Sequence, residues 1–183
     1  MPDEYCRALC ELADDVPLAV TLMATDQTRR LGDVVEQAGT RAVALSDRLL
    51  RAFCPILPRK EAVLLIEALY QCILAAQLTA LTRPSNTSHD ALNAALCRLA
   101  SHLHEEIASL PRLLRGKRDV PPLPSERAAV QEEAYRIRTQ LLLHMRQTGA
   151  VGDAVSTVLC YDTLLRTLGD AETRYLALAL ECS

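Results

Sequence analysis

The sequence predicts an all-α fold, and three observations carry that prediction. Half of the 183 residues are hydrophobic, yet the apolar content is Leu, Ala and Val, with one Phe, five Tyr and no Trp. Packed helices tolerate a core without aromatics, whereas strands favour aromatic and β-branched residues. Only six Gly are available for tight turns, which favours a few long elements. Apolar residues recur near every 3.6 positions in six stretches, the period of a helix face.

The first predicted helix runs from about Asp3 to Ala24, and Pro17 either kinks or splits it. The second runs from about Asp26 to Phe53, with Asp26 placed to cap its first turn. The third, from about Pro58 to Thr82, is apolar on nearly every side (Val63, Leu64, Leu65, Ile66, Leu69, Ile73, Leu74, Leu78), so other helices must surround it. A loop over 83–88 leads to a fourth helix from about His89 to Leu114. Its stripe is Leu92, Leu96, Leu99, Leu103, Ile107 and Leu110. Gly116 and prolines 121, 122 and 124 mark a linker from Arg115 to Ser125. The fifth helix spans about Glu126 to Gln147, and the sixth follows the break at Thr148–Gly152 and continues to about Leu180. Val34-Val35-Glu36-Gln37-Ala38 and Val130-Gln131-Glu132-Glu133-Ala134 open two of these helices about half a chain apart. That faint repeat suggests halves at approximately 1–84 and 85–183, and chance likeness between amphipathic helices accounts for it equally well.

The formal net charge of -3 offers nothing that attracts nucleic acid. Lys occurs only at 60 and 117, and the preference for Arg reflects a GC-rich genome rather than a binding function. Seven Cys lie mostly among apolar neighbours and form no Cys-x-x-Cys, which reads as thiols in a reducing cytoplasm. The apolar run Ala62–Ala76 contains Glu67 and Gln71 and falls short of the roughly 20 residues a membrane span needs. The N-terminus is acidic and lacks a secretory pattern, so the chain is expected to be soluble.

Between the second and third helices lies Phe53-Cys54-Pro55-Ile56-Leu57-Pro58-Arg59-Lys60-Glu61. Proline lacks the N–H a helix interior needs, so Pro55 and Pro58 stop one helix, and Pro58 suits the start of the next. With this corner, the helix order and the final segment Tyr161-Asp162-Thr163-Leu164-Leu165, the chain resembles the PhoU-like family, and more narrowly its branch of accessory proteins to Pit-type phosphate transporters. Phe53, Arg59 and Glu61 match the family's corner in spacing, and Pro55 sits one place earlier than the family's proline. The resemblance covers essentially the whole chain. It implies a six-helix assembly of two pseudo-symmetric three-helix bundles.

The resemblance also implies metal clusters held by carboxylates four residues apart, which share a helix face and converge on one cation. The matching positions here are Val35 and Gly39, Gln131 and Tyr135, and Tyr70 and Gln71, and none is a carboxylate. The only acidic pair four residues apart is Glu11/Asp15, on the first helix. Asp3/Arg7, Asp26/Arg30, Asp47/Arg51, Glu132/Arg136, Asp162/Arg166 and Asp170/Arg174 instead have the acid-first order that steadies an exposed helix. No metal and no cofactor are therefore expected.

His102, His104, Glu105 and Glu106 form the densest ligand group, needing a partner such as His89 or His144 to hold a metal. A polar helix face explains the same residues. Arg112, Arg115, Lys117 and Arg118 make a basic patch suited to phosphate groups or an acidic partner, although cations at a helix C-terminus have a structural reason of their own. No nucleophile–base pair, phosphate loop or Gly-rich dinucleotide turn is legible, so no enzyme is expected. The expected function is a non-catalytic regulator of phosphate transport that docks on a phosphate permease or another protein. The alternatives are a metal-binding bundle or enzyme built on the His/Glu group, and an unrelated helical adaptor. The Leu and Ala content leaves room for an apolar face that pairs two copies as a homodimer.

Overall fold

A computed structural model describes residues 2–52, 57–82, 89–114, 128–129, 132–136, 139–140, 142–143 and 153–182. Five long helices are resolved: α1 (Pro2–Ala24), α2 (Thr28–Arg51), α3 (Arg59–Thr82), α4 (Asp90–Leu113) and α5 (Asp153–Glu181). The described residues of the predicted fifth helix are helical too, and no strand occurs among the described residues. The all-α expectation holds.

Pro17 lies inside α1 and does not split it. A mid-helix proline costs about 3 kcal/mol or more through the lost hydrogen bond and ring clash. Val16, Ala19 and Val20 are buried on either side of it, and that burial offsets the cost. Asp26 does not cap α2. Its φ of 57° puts it in the left-handed region, where it ends α1 instead. The Gln27 N–H donates to the Leu22 carbonyl at 2.9 Å and the Asp26 N–H to that of Met23 at 3.3 Å, a Schellman closure of the last turn. Gln27 then occupies the N-cap of α2 without a side-chain cap bond.

α2 buries Leu31, Val35, Ala38, Ala42, Leu45 and Leu49 at alternating spacings of four and three, with a polar outer face. It runs antiparallel to α1. Arg48 pairs with Glu4 and lies over the Tyr5 ring at one end, and Arg41 meets Asp15 further along. The corner turns the chain back, so α3 runs parallel to α1. Pro58 stands just before α3, and its carbonyl accepts from the Ala62 N–H at 2.9 Å. The Arg59 guanidinium donates to the Ala52 carbonyl and ties the start of α3 to the end of α2. Phe53 and Pro55 lie outside the described residues.

α3 packs on α1, α2 and α5, which accounts for its apolar surface on nearly all sides. It extends well beyond the Ala62–Ala76 run. By length and composition it is the one described helix that could cross a membrane, with a mean hydropathy of 1.6 in its most apolar window. Some 56% of that window is buried within the bundle, as in the core helix of a globular protein. α4 lies antiparallel on α1, marked by the Cys10 thiol near the Ile107 carbonyl at 3.8 Å and His104 on Asp14. α5 runs parallel to α4 and antiparallel to α3. Tyr161 meets Asn93 and Tyr175 meets Ser109 on α4, and Thr157 donates to the Thr82 carbonyl of α3 at 3.3 Å. One continuous core links all five helices and includes Ala134 of the helical segment 132–136. Arg98 of α4 holds that segment through Glu133 at 2.6 Å.

Asp26→Gly is expected to raise the unfolding free energy by about 1 kcal/mol, because glycine adopts the left-handed conformation without a Cβ penalty. Asp26→Ala should give no such gain. Urea unfolding of the two variants checks this.

Candidate functional site

At the seam between α2 and α3 lie two of the positions where the resemblance noted above implies metal ligands. Gly39 of α2 faces Tyr70 of α3, and a Cβ built on Gly39 would lie 2.9 Å from the Tyr70 hydroxyl and 3.2 Å from Cζ. The phenol ring therefore fills the space a longer residue at 39 would need. Val35, one turn earlier, is buried and apolar. A cation here would find a phenol and aliphatic groups, so these residues do not fit a carboxylate-held metal cluster.

Along the outer face of α2, Asp33, Glu36, Gln37, Thr40 and Arg41 line an open depression of about 560 Å³. Thr40 spends its hydroxyl on the Glu36 carbonyl at 3.1 Å. Arg41 donates to Asp15 of α1 at 2.5 Å, and the Asp15 carboxylate is largely buried. Burial pushes the Asp15 pKa above its ordinary value, and the hydrogen bond and charge of Arg41 only partly counter this. The neighbouring carboxylates of Asp14 and Glu11 push it further up. Although Asp15 and Arg41 look like a simple stabilising ion pair, desolvation is the larger effect.

The predicted His/Glu group on α4 is dispersed. His104 Nε2 lies 2.6 Å from the Asp14 carboxylate of α1. The nearest approach of His102 to Glu105 is 4.0 Å. Glu106 is buried, away from the exposed Glu105. His89 packs edge-on against Tyr161, with ring centroids 5.4 Å apart. His144 lies outside the described residues. Among the described residues, no three His, Cys, Asp or Glu side chains converge on a point that would hold a metal. The reason is geometric: residues 102, 104, 105 and 106 fan around the helix, so His104 turns to α1, Glu106 turns inward and Glu105 faces solvent.

The basic patch is only partly in view. Arg112 is exposed in the last turn of α4, where it complements the helix dipole. Arg115, Lys117 and Arg118 lie outside the described residues. The corner's Arg59 has the clearest single role, bonding Ala52, and its neighbour Glu61 is nearly buried in the first turn of α3 with Lys60 at 3.7 Å.

Of the acid-first pairs, Asp47/Arg51, Asp162/Arg166 and Asp170/Arg174 form at 3.4, 3.5 and 3.6 Å. In two others, the Arg30 guanidinium bonds Gln27 and Glu133, rather than Glu132, makes the inter-helix bridge. Sequence reasoning missed the buried pair in which the Tyr161 hydroxyl donates to Asn93 Oδ1 at 2.8 Å. Its only sequence signal is a polar Asn93 set beside Leu92 in an apolar stripe.

Four of the thiols, Cys10, Cys72, Cys97 and Cys182, are held in their protonated, weakly nucleophilic form by burial. Burial pushes Cys72 up to about 12, and it also raises Cys10, Cys97 and Cys182. The described surface thus offers charged and apolar side chains for binding. Compared with protein-family models and with curated proteins, the chain matches none.

Two measurements test these seams. Gly39→Ala should gain the usual helix preference of about 1 kcal/mol only where the Tyr70 ring is gone. The stability change from Gly39→Ala should therefore be more favourable in a Tyr70→Ala background than in the wild type, by at least about 0.5 kcal/mol in a double-mutant cycle. For Asp15, a folded pKa raised above the unfolded one means the folded state holds its proton to higher pH. The associated stability is present below the ordinary Asp range and is lost as pH rises through the folded value. Relative to Asp15→Asn, wild-type stability should fall over the interval in which pH rises from the ordinary Asp range, about 4, through the raised folded value. A rise over that interval would show that Arg41 dominates instead.

Proposed function

We propose that this chain is a PhoU-like helical protein that acts without catalysis as an accessory or regulator of phosphate transport, docking on a permease or another cytoplasmic protein. The observation that carries the reading is how the helices meet. If the chain is divided into halves of three helices, α1 and α4 are equivalent, and so are α3 and α5. α1 packs on α4 and α3 packs on α5, each antiparallel, so like meets like across the join. Within the halves, α1 runs parallel to α3, and α4 runs parallel to α5. Two three-helix units related by a pseudo-two-fold axis have this property.

Two further features support the reading. Arg59 fastens the corner that carried the family likeness, which gives that residue a structural reason to be there. Tyr70 over Gly39 suits a family scaffold that works without a metal at this seam, which supports protein contact as the mode of action. Cys10, Cys72, Cys97, Cys160 and Cys182 carry free thiols, which suits a reducing cytoplasm.

Deleting the gene in its bacterial host should change the rate of phosphate uptake, measured with radiolabelled phosphate under replete and starved growth. An Arg112→Ala variant should reproduce part of that change while retaining wild-type helicity. Unchanged uptake in the deletion strain under both conditions would remove the phosphate link. Stoichiometric metal in the purified protein would instead favour a metal-binding bundle.

A further inference from the structure

Two consecutive carboxylates on α1 reach two different helices. Asp14 lies 2.6 Å from His104 Nε2 of α4, and Asp15 accepts from Arg41 of α2 at 2.5 Å. Adjacent helical residues project about 100° apart, so one turns to α4 and the other to α2. The two sites differ in exposure. The side chains of Asp14 and His104 are 60% and 32% exposed, whereas that of Asp15 is 10% exposed. The Asp14–His104 pair adds little stability of its own, yet it is open to protons from the solvent. Asp15 is shut away from water, where a neighbouring charge is screened far less.

Charge joins the two sites. Among the described residues, the charges bearing on Asp15 are Arg41 from α2 and Asp14 and Glu11 from its own helix, and α3 and α4 bring none to it directly. Asp14 opposes the ionised form of Asp15, and His104 is placed to cancel that opposition. As imidazolium it neutralises Asp14. As neutral imidazole it leaves the Asp14 charge acting on Asp15. Histidine side chains in general change charge between about pH 5 and 8. A proton gained at position 104 thus favours ionised Asp15 and its bond to Arg41, and a proton lost there weakens that bond. Among the described helices α2 packs only on α1 and α3, and this bond is one of the two ion pairs that tie it to α1.

We propose that α1 carries a pH-responsive link from α4 to α2. A proton on His104 steadies Asp15 against Arg41 through the charge of Asp14, so α2 is held most firmly in mildly acidic solution and loosens as the imidazole becomes neutral. The link rests on these four side chains and goes beyond the phosphate reading, which makes no use of them.

Coupling of this kind is reciprocal, so the charges at Asp15 and Arg41 also set how tightly His104 holds its proton. Nuclear magnetic resonance titration of the His104 ring, assigned by its loss in His104→Gln, reads this. Asp15→Asn should lower the His104 midpoint by at least about 0.3 pH units and Arg41→Gln should raise it by a similar amount, because one removes a nearby anion and the other a nearby cation. A merely loosened structure would move both midpoints the same way. Amide exchange of α2 in the unaltered chain, corrected for intrinsic exchange rates, gives a second reading that needs no variant to fold. Protection of α2 should fall at least about twofold as pH rises through the His104 midpoint, and His104→Gln should remove that step. Midpoints that stay in place in both variants, or shift in the same direction, overturn the proposal. So does protection of α2 that is flat or rises through the His104 midpoint, or a step that persists in His104→Gln.

Discussion

The structure depends on the enclosure of α3. A helix that is apolar on nearly every side is stable in water only when neighbours cover it, and α1, α2 and α5 supply that cover. Burying each Leu or Ile side chain contributes about 1.5–3 kcal/mol, so Leu65, Ile66, Leu69 and Ile73 together outweigh any polar contact in the molecule. Once α3 must be surrounded, the chain has little choice of arrangement. The corner brings α2 back along it, α1 covers a second side, and α5 seals the remaining one.

Polar contacts then set register within that enclosure. The Tyr161–Asn93 bond is buried between α5 and α4, and losing one partner would leave the other without it, at a cost of about 1–3 kcal/mol. Sliding α5 by one turn would break it, so it fixes the register of α5 on α4 more than it adds net stability. The Asp15–Arg41 pair behaves differently. Its carboxylate is held against solvent at an energetic cost that the guanidinium does not fully offset, so the pair specifies where α1 meets α2 without strengthening the contact much.

Much of the fold was legible in the sequence because apolar spacing reports burial directly. The stripe of α4 and the all-round apolar surface of α3 were readable residue by residue. Local chemistry read less well. Asp26 is a good cap by type, yet the left-handed closure of α1 claimed it first, and sequence order does not say which helix a boundary residue serves. Pro17 is a breaker by type, and tertiary burial of its neighbours overrode that preference. The His/Glu group on α4 looked dense because its members are consecutive, while a helix separates consecutive residues by about 100° each and sends them to different partners. Long-range pairs such as Asp14–His104 and Tyr70–Gly39 leave almost no trace in one sequence, since nothing local marks them.

The close fit of Tyr70 against Gly39 constrains the order in which this seam can change. A carboxylate introduced at position 39 would collide with the ring before it could meet any cation, and a carboxylate introduced at 70 first would leave the notch above Gly39 unfilled but intact. The second route passes through a loosened protein and the first through an overpacked one. Positions 39 and 70 can therefore enlarge only by turns, and the tyrosine holds its neighbour across the seam to the smallest residue.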